Sequence, residues 1–476
     1  MNGERTELVV LGGGPGGYAA AFRAADLGKS VTLIDPEPIL GGACLLRGCI
    51  PSKGLITAAE LAEQIRDAGS IGIETGPVTV HMDRVSQWKQ QVIRQIGKGL
   101  GELAKRRNVR WVRGRAGFVD SHHITVQPDG GSDFILGFES AVVATGSEPS
   151  FPPGLEPDGQ FVLSSTEALE LTRIPRRLLV IGGGYIGLEL GSCFRLFGGE
   201  VTLVELTDGL LPGTDPELVR PVVRKLESRS VRILLRSRVV SLDRSGGILR
   251  ATIDTGTGEP LQRDFDQALV CVGRKPCTSR LALDRAGILT DERGFIRCDA
   301  QGRTSQPTVF AIGDCSGGVM LAHKARRDGI VAAEAICGQA STRDQTAVPA
   351  VIFSDPEIAY CGQGELEARA AGREIKVTRF PFAALGRAVL HRAPEGMVKL
   401  ICDRDDERVL GAGIVGVCAS ELIAEATLAV ELGATAEDLM HTIHAHPTLS
   451  EAMPEAAELM RGPSIHIYKK DREGRR

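Results

Sequence analysis

Two glycine-rich turns of equal spacing, and a closing segment of alternating strand and helix patterns, predict an α/β chain. It should hold two Rossmann-like dinucleotide-binding domains and a C-terminal α+β domain. The first turn, GGGPGG, follows a short apolar run from Glu7 to Leu11. Helical spacing then runs from Tyr18 to Leu27, Gly28 stops it, and a second strand, Ser30 to Ile34, ends at Asp35. In this context Gly12 permits the tight turn, Gly14 lets the backbone approach a pyrophosphate, and Gly17 lets helix and strand pack closely. The helix N-terminus faces the phosphates, and Asp35 is placed to take ribose hydroxyls.

The pattern recurs from Arg177. A strand to Ile181 meets GGGYIG with Gly182, Gly184 and Gly187, a helix runs to Phe197, and Val201 to Val204 ends at Glu205. First glycine to acid is 23 residues in both copies, from 12 to 35 and from 182 to 205. Glu205 is followed by Leu206, Thr207 and Asp208, with no Arg or Lys to meet a 2′-phosphate, so NAD is expected over NADP.

Between the two turns lies GGACLLRGCIPSK, residues 41–53. Only Leu45, Leu46, Arg47 and Gly48 separate Cys44 from Cys49. A disulfide closing so small a ring adds little stability, so the pair points to chemistry rather than to stapling. A cysteine near a helix N-terminus sits at the positive end of the dipole, which favours the thiolate, the attacking species in disulfide exchange. Arg47 would reinforce that bias. From the pair alone, two ordinary neighbouring buried cysteines remain an open reading. The other nine cysteines read as small buried hydrophobes.

A dithiol gives up two electrons through thiolate exchange, whereas a nicotinamide accepts them as a hydride. A flavin can do both. FAD is therefore expected at the first turn, immediately before the cysteines, and exchangeable NAD at the second.

The chain has 476 residues and a net charge of -4, with no basic face, so nucleic acid is not an expected partner. The most apolar long stretch, Gly411 to Ala434, is interrupted by Glu421, Glu425 and Glu431, so no membrane span is expected. MNGERTELVV has neither a signal-peptide apolar region nor a transit composition, and the expected compartment is the cytoplasm.

From about Val348 the pattern changes to strands and two long helical stretches. Residues 437–451 read EDLMHTIHAHPTLSE. Nothing completes a tetrahedral set with His441, His444 and His446, so no metal site is expected. Pro447 is instead expected to break a helix so that His446 projects as a base, with Glu451 one turn on to bond the other ring nitrogen. His441 and His444 read as structural.

Together these motifs resemble the pyridine nucleotide-disulfide oxidoreductases over essentially the whole chain. The resemblance implies that Cys44 is the interchange thiol and that Cys49 lies against the flavin. Lys53 would sit near flavin N5 and pair with Glu189, a solvated helix lysine being the alternative. Thr145 and Gly146 in VVATGS would contact FAD, and Asp314 in VFAIGDC would hold its ribityl chain. Tyr185 would gate the nicotinamide pocket unless it is simply a packed aromatic, and Gly273 in CVGRKP would close the NAD side. Asp35 stands where the family often has Glu, and Asp328 follows two arginines where Glu is common.

The implied organisation is an FAD domain over 1–148, an NAD domain over 149–275, a central domain over 276–347 and a dimer-interface domain over 348–476. HPTLSE matches the family's acid–base motif, which implies that His446 serves the Cys44 pair of the other subunit in a homodimer. The implied activity is oxidation of protein-bound dihydrolipoamide. The implied partners are the lipoyl domains and core acyltransferase of a 2-oxo acid dehydrogenase complex, or a glycine-cleavage lipoyl carrier. A reductase of another disulfide and a non-catalytic scaffold subunit are the alternatives.

Overall fold

The computed structural model describes residues 4–256 and 258–468 and divides into two compact units. The first takes the chain to Ile174 and then Val270–Asp344. Its centre is a parallel sheet in which Arg110–Phe118, Val31–Asp35, Glu4–Leu11, Phe134–Val143 and Val309–Ala311 lie side by side in that order. The remaining halves of Arg110–Phe118 and Phe134–Val143 pair with His123–Pro128 in an antiparallel meander. Leu8 and Val10 enter one buried cluster, Val9 and Leu11 another. Both faces of the first strand are thus covered, which is why it reads as an unbroken apolar run.

The first helix is Pro15–Asp26, starting earlier than Tyr18 because proline's fixed φ suits the opening helical position. Gly28, at φ +92°, ends it. A Cβ on Gly17 would lie 1.8 Å from the Gly12 carbonyl oxygen, and one on Gly329 would lie 2.3 Å from that of Gly16. Glycine therefore lets this helix touch its strand on one side and helix Ala322–Ile336 on the other.

The second unit comprises Pro175–Leu269 and the chain from Gln345. Arg177–Ile181, Glu200–Val204 and Arg232–Leu234 form a parallel layer, and helix Tyr185–Leu196 follows the second glycine turn. Its C-terminal part is an antiparallel sheet in the order Ala350–Ile352, Glu357–Gly362, Val409–Gly416, Met397–Asp403, Ile375–Pro381. Only one long helix packs on it, Ala419–Leu432; Gly433, at φ +63°, stops that helix. In place of a second long helix are two short ones, Ala436–His441, capped by Thr435, and Ala452–Glu458.

Strands Ser147–Pro149 and Arg274–Pro276 pair inside the first unit, and the chain enters the second at Pro175, beyond the Pro-rich connection. Among the described residues no helix is long and apolar enough to cross a membrane.

Lys399 ties the two parts of the second unit together. Its ammonium, 3% exposed, lies 2.6 Å from Asp215, 2.5 Å from Glu217 and 2.7 Å from Glu365. Lys399→Met removes the buried cation and leaves three carboxylates with Arg379 alone, so denaturant unfolding should show a loss of about 3–5 kcal/mol. Hydrogen bonds from Arg379 and then Lys399 hold Glu217 down to about 2 from 4.5. A depressed carboxylate stabilises the fold above its unfolded value, so this contribution should fade as pH falls from 4.5 towards 2.

Candidate active site

Cys44 lies on the short helix Gly42–Arg47, and Cys49 opens the 19-residue helix Cys49–Asp67. Gly48 makes the turn between them, where a Cβ would come within 2.9 Å of the Ala43 carbonyl oxygen. Both cysteines carry free thiols. The Cys49 thiol hydrogen-bonds that of Cys44; this contact, then burial, pushes the Cys44 thiol up, while the Lys53 ammonium one turn along pulls it down. Arg47 does not supply the expected bias, because its guanidinium is paired with Glu37, ten residues back.

The cysteine segment is fastened to the first glycine turn. Gly41 N–H donates to the Gly13 carbonyl (2.9 Å), and a Cβ on Gly42 would lie 2.6 Å from Gly14 Cα. The second turn repeats the anchor, with Leu211 N–H donating to the Gly183 carbonyl at 2.9 Å. The strand-end acids are also used alike. Asp35 accepts from the N–H groups of Gly13 and Glu37; Glu205 accepts from those of Gly183 (2.6 Å) and Thr207 (2.7 Å). Burial pushes the Asp35 carboxyl up against the pull of its two N–H donors. Both acids are buried, and each braces the loop it follows.

Gly12 (φ +107°) and Gly182 (φ +108°) make the same strained turn, and a Cβ on Gly12 would lie 2.3 Å from the Ala144 carbonyl oxygen. Beside the first turn, Thr145 Oγ1 is buried without an oxygen or nitrogen partner, faced only by the weakly bonding Cys315 thiol. Asp314 is oriented by Ser147 Oγ at 2.5 Å, itself held by Arg274 Nε at 2.8 Å. The adjoining Gly313 N–H donates to Asp328 (3.3 Å), which is buried between Lys324 (2.8 Å) and Arg343 (3.1 Å). Ser147 and Asp328 were not singled out in the sequence; the small residue closing VVATGS and the buried acid one turn after Lys324 were the available signals. Gly146 (φ +72°) accepts from Cys277 N–H, and Gly273 (φ +149°) accepts from Ser150 N–H. The cradle free of side chains, the unpartnered hydroxyl and the oriented carboxylate fit a dinucleotide with a polyol chain.

At the second turn Gly184 leaves open space, Gly187 is buried, and Tyr185 at the helix start is 44% exposed. Glu189 is buried and accepts from Phe353 N–H at 3.1 Å. Arg236, remote in sequence, comes within 3.7 Å of Asp208, so the cation the local sequence lacked is present and answered by a carboxylate.

His446 does not project from a helix broken by Pro447. The helix ends at His441, where Thr442 Oγ1 donates to the Asp438 carbonyl, and His446 sits in the loop before Glu451. Its Nδ1 lies 2.8 Å from Glu451 Oε1, while Glu451 Oε2 accepts from Thr448 N–H at 2.8 Å. Burial pushes Glu451 up, but the Thr448 N–H and then His446 hold it below its ordinary value, so it is a carboxylate at neutral pH. That partner fixes the tautomer with Nδ1–H donating and leaves Nε2 as the basic nitrogen of a 78% exposed ring. His444 is buried between Glu425 (2.7 Å) and the Thr442 carbonyl (2.9 Å), a satisfied core histidine, and His441 is exposed. Of the other nine cysteines, Cys193, Cys315, Cys361 and Cys402 are buried and the rest half-buried.

Residues 6–329 match the family described as pyridine nucleotide-disulphide oxidoreductase, and residues 348–457 match its dimerisation domain. The chain is 45% identical to Dihydrolipoyl dehydrogenase 2 of Haloarcula marismortui, covering 97% of this chain and 98% of that one. It is 43% identical to the dihydrolipoyl dehydrogenase of Geobacillus stearothermophilus, covering 98% of each. Among solved structures, LpdA from Mycobacterium tuberculosis superposes with a TM-score of 0.90 at 29% identity, covering 96% of this chain and 99% of that one. The HOCl-induced flavoprotein disulfide reductase RclA from Escherichia coli, solved as a Cu(II) complex, gives 0.85 at 28%, covering 96% and 100%. The chain belongs to the pyridine nucleotide-disulphide oxidoreductase family.

Proposed function

We propose that this chain oxidises a protein-bound dihydrolipoyl group to its disulfide and delivers the electron pair to NAD. The observation that carries the reading is the hydrogen-bonded Cys44–Cys49 dithiol fastened to a dinucleotide turn, in a chain 39–45% identical to enzymes named dihydrolipoyl dehydrogenase. FAD is assigned to Gly12, Gly14, Gly17, Thr145, Gly146 and Asp314, and NAD to Gly182, Gly184, Gly187 and Glu205. Bound there, the pair supplies the relay from a dithiol to a hydride acceptor.

The protein's own steps start from the Cys44–Cys49 disulfide. His446 Nε2 takes the proton from one dihydrolipoyl thiol, and the resulting thiolate attacks Cys44 Sγ. The Cys44–Cys49 bond breaks, and Cys49 leaves as a thiolate at a helix N-terminus, where that charge is favoured. The second lipoyl thiol loses its proton and displaces Cys44, forming the lipoyl disulfide. The substrate is thereby oxidised by two electrons and the dithiol holds them. Lys53 favours thiolate at Cys44, and Glu451 keeps the imidazole turned and ready.

The dimerisation domain supports a homodimer, in which we assign His446 to the dithiol of the second copy. Lipoyl carriers of a 2-oxo acid dehydrogenase or glycine-cleavage system are the partners of this reading. Eleven unpaired cysteines suit a reducing compartment, and we place the enzyme in the cytoplasm.

Glu451→Gln keeps the shape but loses the charge that orients His446. Steady-state oxidation of dihydrolipoamide should fall roughly 100-fold, within the range attributed to a positioned base. Unchanged turnover would remove Glu451 from the mechanism.

A further inference from the structure

Helix Ala452–Glu458 carries Glu455 one turn beyond Glu451, and two carboxylates at that spacing repel. Glu455 is answered by His466, from the segment that follows the helix. His466 Nδ1 lies 2.6 Å from Glu455 Oε1, and the His466 backbone N–H donates to Oε2 at 3.3 Å. Glu455 is only 7% exposed, so its charge has little water to screen it.

The hydrogen bond to Glu455, with Glu451 and Glu458 nearby, raises His466 above the ordinary imidazole value and favours the charged ring. Those three carboxylates are the charged groups named against His466. Elsewhere around the helix, Arg461 is paired with Glu407 and Glu437, and His441 lies 4.0 Å from Glu437. On the two strands beneath, Lys376 is paired with Glu407, Arg379 with Glu217 and Glu365, and Lys399 with the Asp215 cluster, while Asp403 accepts from Asp405 N–H.

We propose that Glu455 and His466 form a second imidazolium–carboxylate pair, which keeps the turn behind Glu451 electrically neutral and so sets how readily His446 holds a proton. The inference rests on the reading of His446 and Glu451 as the acid–base dyad. His466 is a positioning residue acting through Glu455. While it is charged, the second pair sums to zero and His446 responds to Glu451 alone. Without that charge, Glu455 becomes a second negative centre behind the dyad, and the proton on His446 is held more firmly.

The test is the titration of His446 in the full-length, FAD-loaded protein, followed by NMR of 15N-labelled imidazoles and assigned with His446→Gln. His466→Gln should move the His446 midpoint up by about half a pH unit. The double variant Glu455→Gln/His466→Gln, neutral again, should return it to the parent value, and His466→Arg should leave it there. Should His466→Gln not fold, His466→Tyr, uncharged but able to hydrogen-bond, carries the same expectation. A midpoint unmoved by loss of the charge, or moved equally in the single and double variants, overturns the proposal. Because no substrate is present, a protein inactive on dihydrolipoamide whose midpoint moves as expected would contradict the proposed function and leave this inference standing.

Discussion

Cys44→Ser should reduce dihydrolipoamide oxidation by at least about 1,000-fold while leaving the fold intact. Exchange needs a sulfur at this position to form and then release the mixed disulfide, and a serine hydroxyl can do neither. The substitution is close to isosteric at a half-buried site, and a hydroxyl can still hydrogen-bond the Cys49 thiol that now contacts Cys44. The second glycine turn lies elsewhere in the chain and is untouched. NADH-dependent reduction of an artificial electron acceptor, which needs no dithiol, should therefore persist. Retention of more than a tenth of the lipoamide turnover would show that Cys44 is not the sulfur attacked.

His446→Gln is expected to cost about 100- to 10,000-fold in turnover at neutral pH, the range for removing a positioned proton acceptor. An amide at this position can accept a hydrogen bond but cannot take up a thiol proton. The loss should shrink as pH rises through the ordinary thiol range near 8.5, because the substrate then ionises unaided. This pH dependence separates a lost base from a damaged loop, which would impair turnover equally at every pH. The Glu451 carboxylate, braced by Thr448 N–H, remains in place in the variant.

The parts of the site legible in the sequence are those whose cause is local. Gly12 and Gly182 can be read because only glycine tolerates their positive φ beside a crossing backbone, and Gly17 because any Cβ would strike the turn. His446 could be told from His444 because its carboxylate lies five residues away, whereas His444 meets Glu425 across the unit's core. Contacts between distant residues left little trace. Arg236 reaches Asp208 from another strand, and Ser147 orients Asp314 across 167 positions. Arg47 was misjudged for a related reason: nearness to the thiols in sequence suggested a partner, but Glu37 offers the stronger one. The helix before His446 stops at His441 because Thr442 satisfies its last turn, a local cap masked by the louder signal of Pro447.

The most direct measurement is anaerobic alkylation of the FAD-loaded protein with iodoacetamide, with Cys44 and Cys49 labelling read by mass spectrometry. If the two form the exchange disulfide, both should resist labelling in the oxidised protein and become reactive after dihydrolipoamide. Excess NAD should then restore their protection, and the other nine cysteines should not change. Labelling of Cys44 and Cys49 that is indifferent to dihydrolipoamide but responds to NADH would contradict dihydrolipoamide as the substrate and require another disulfide.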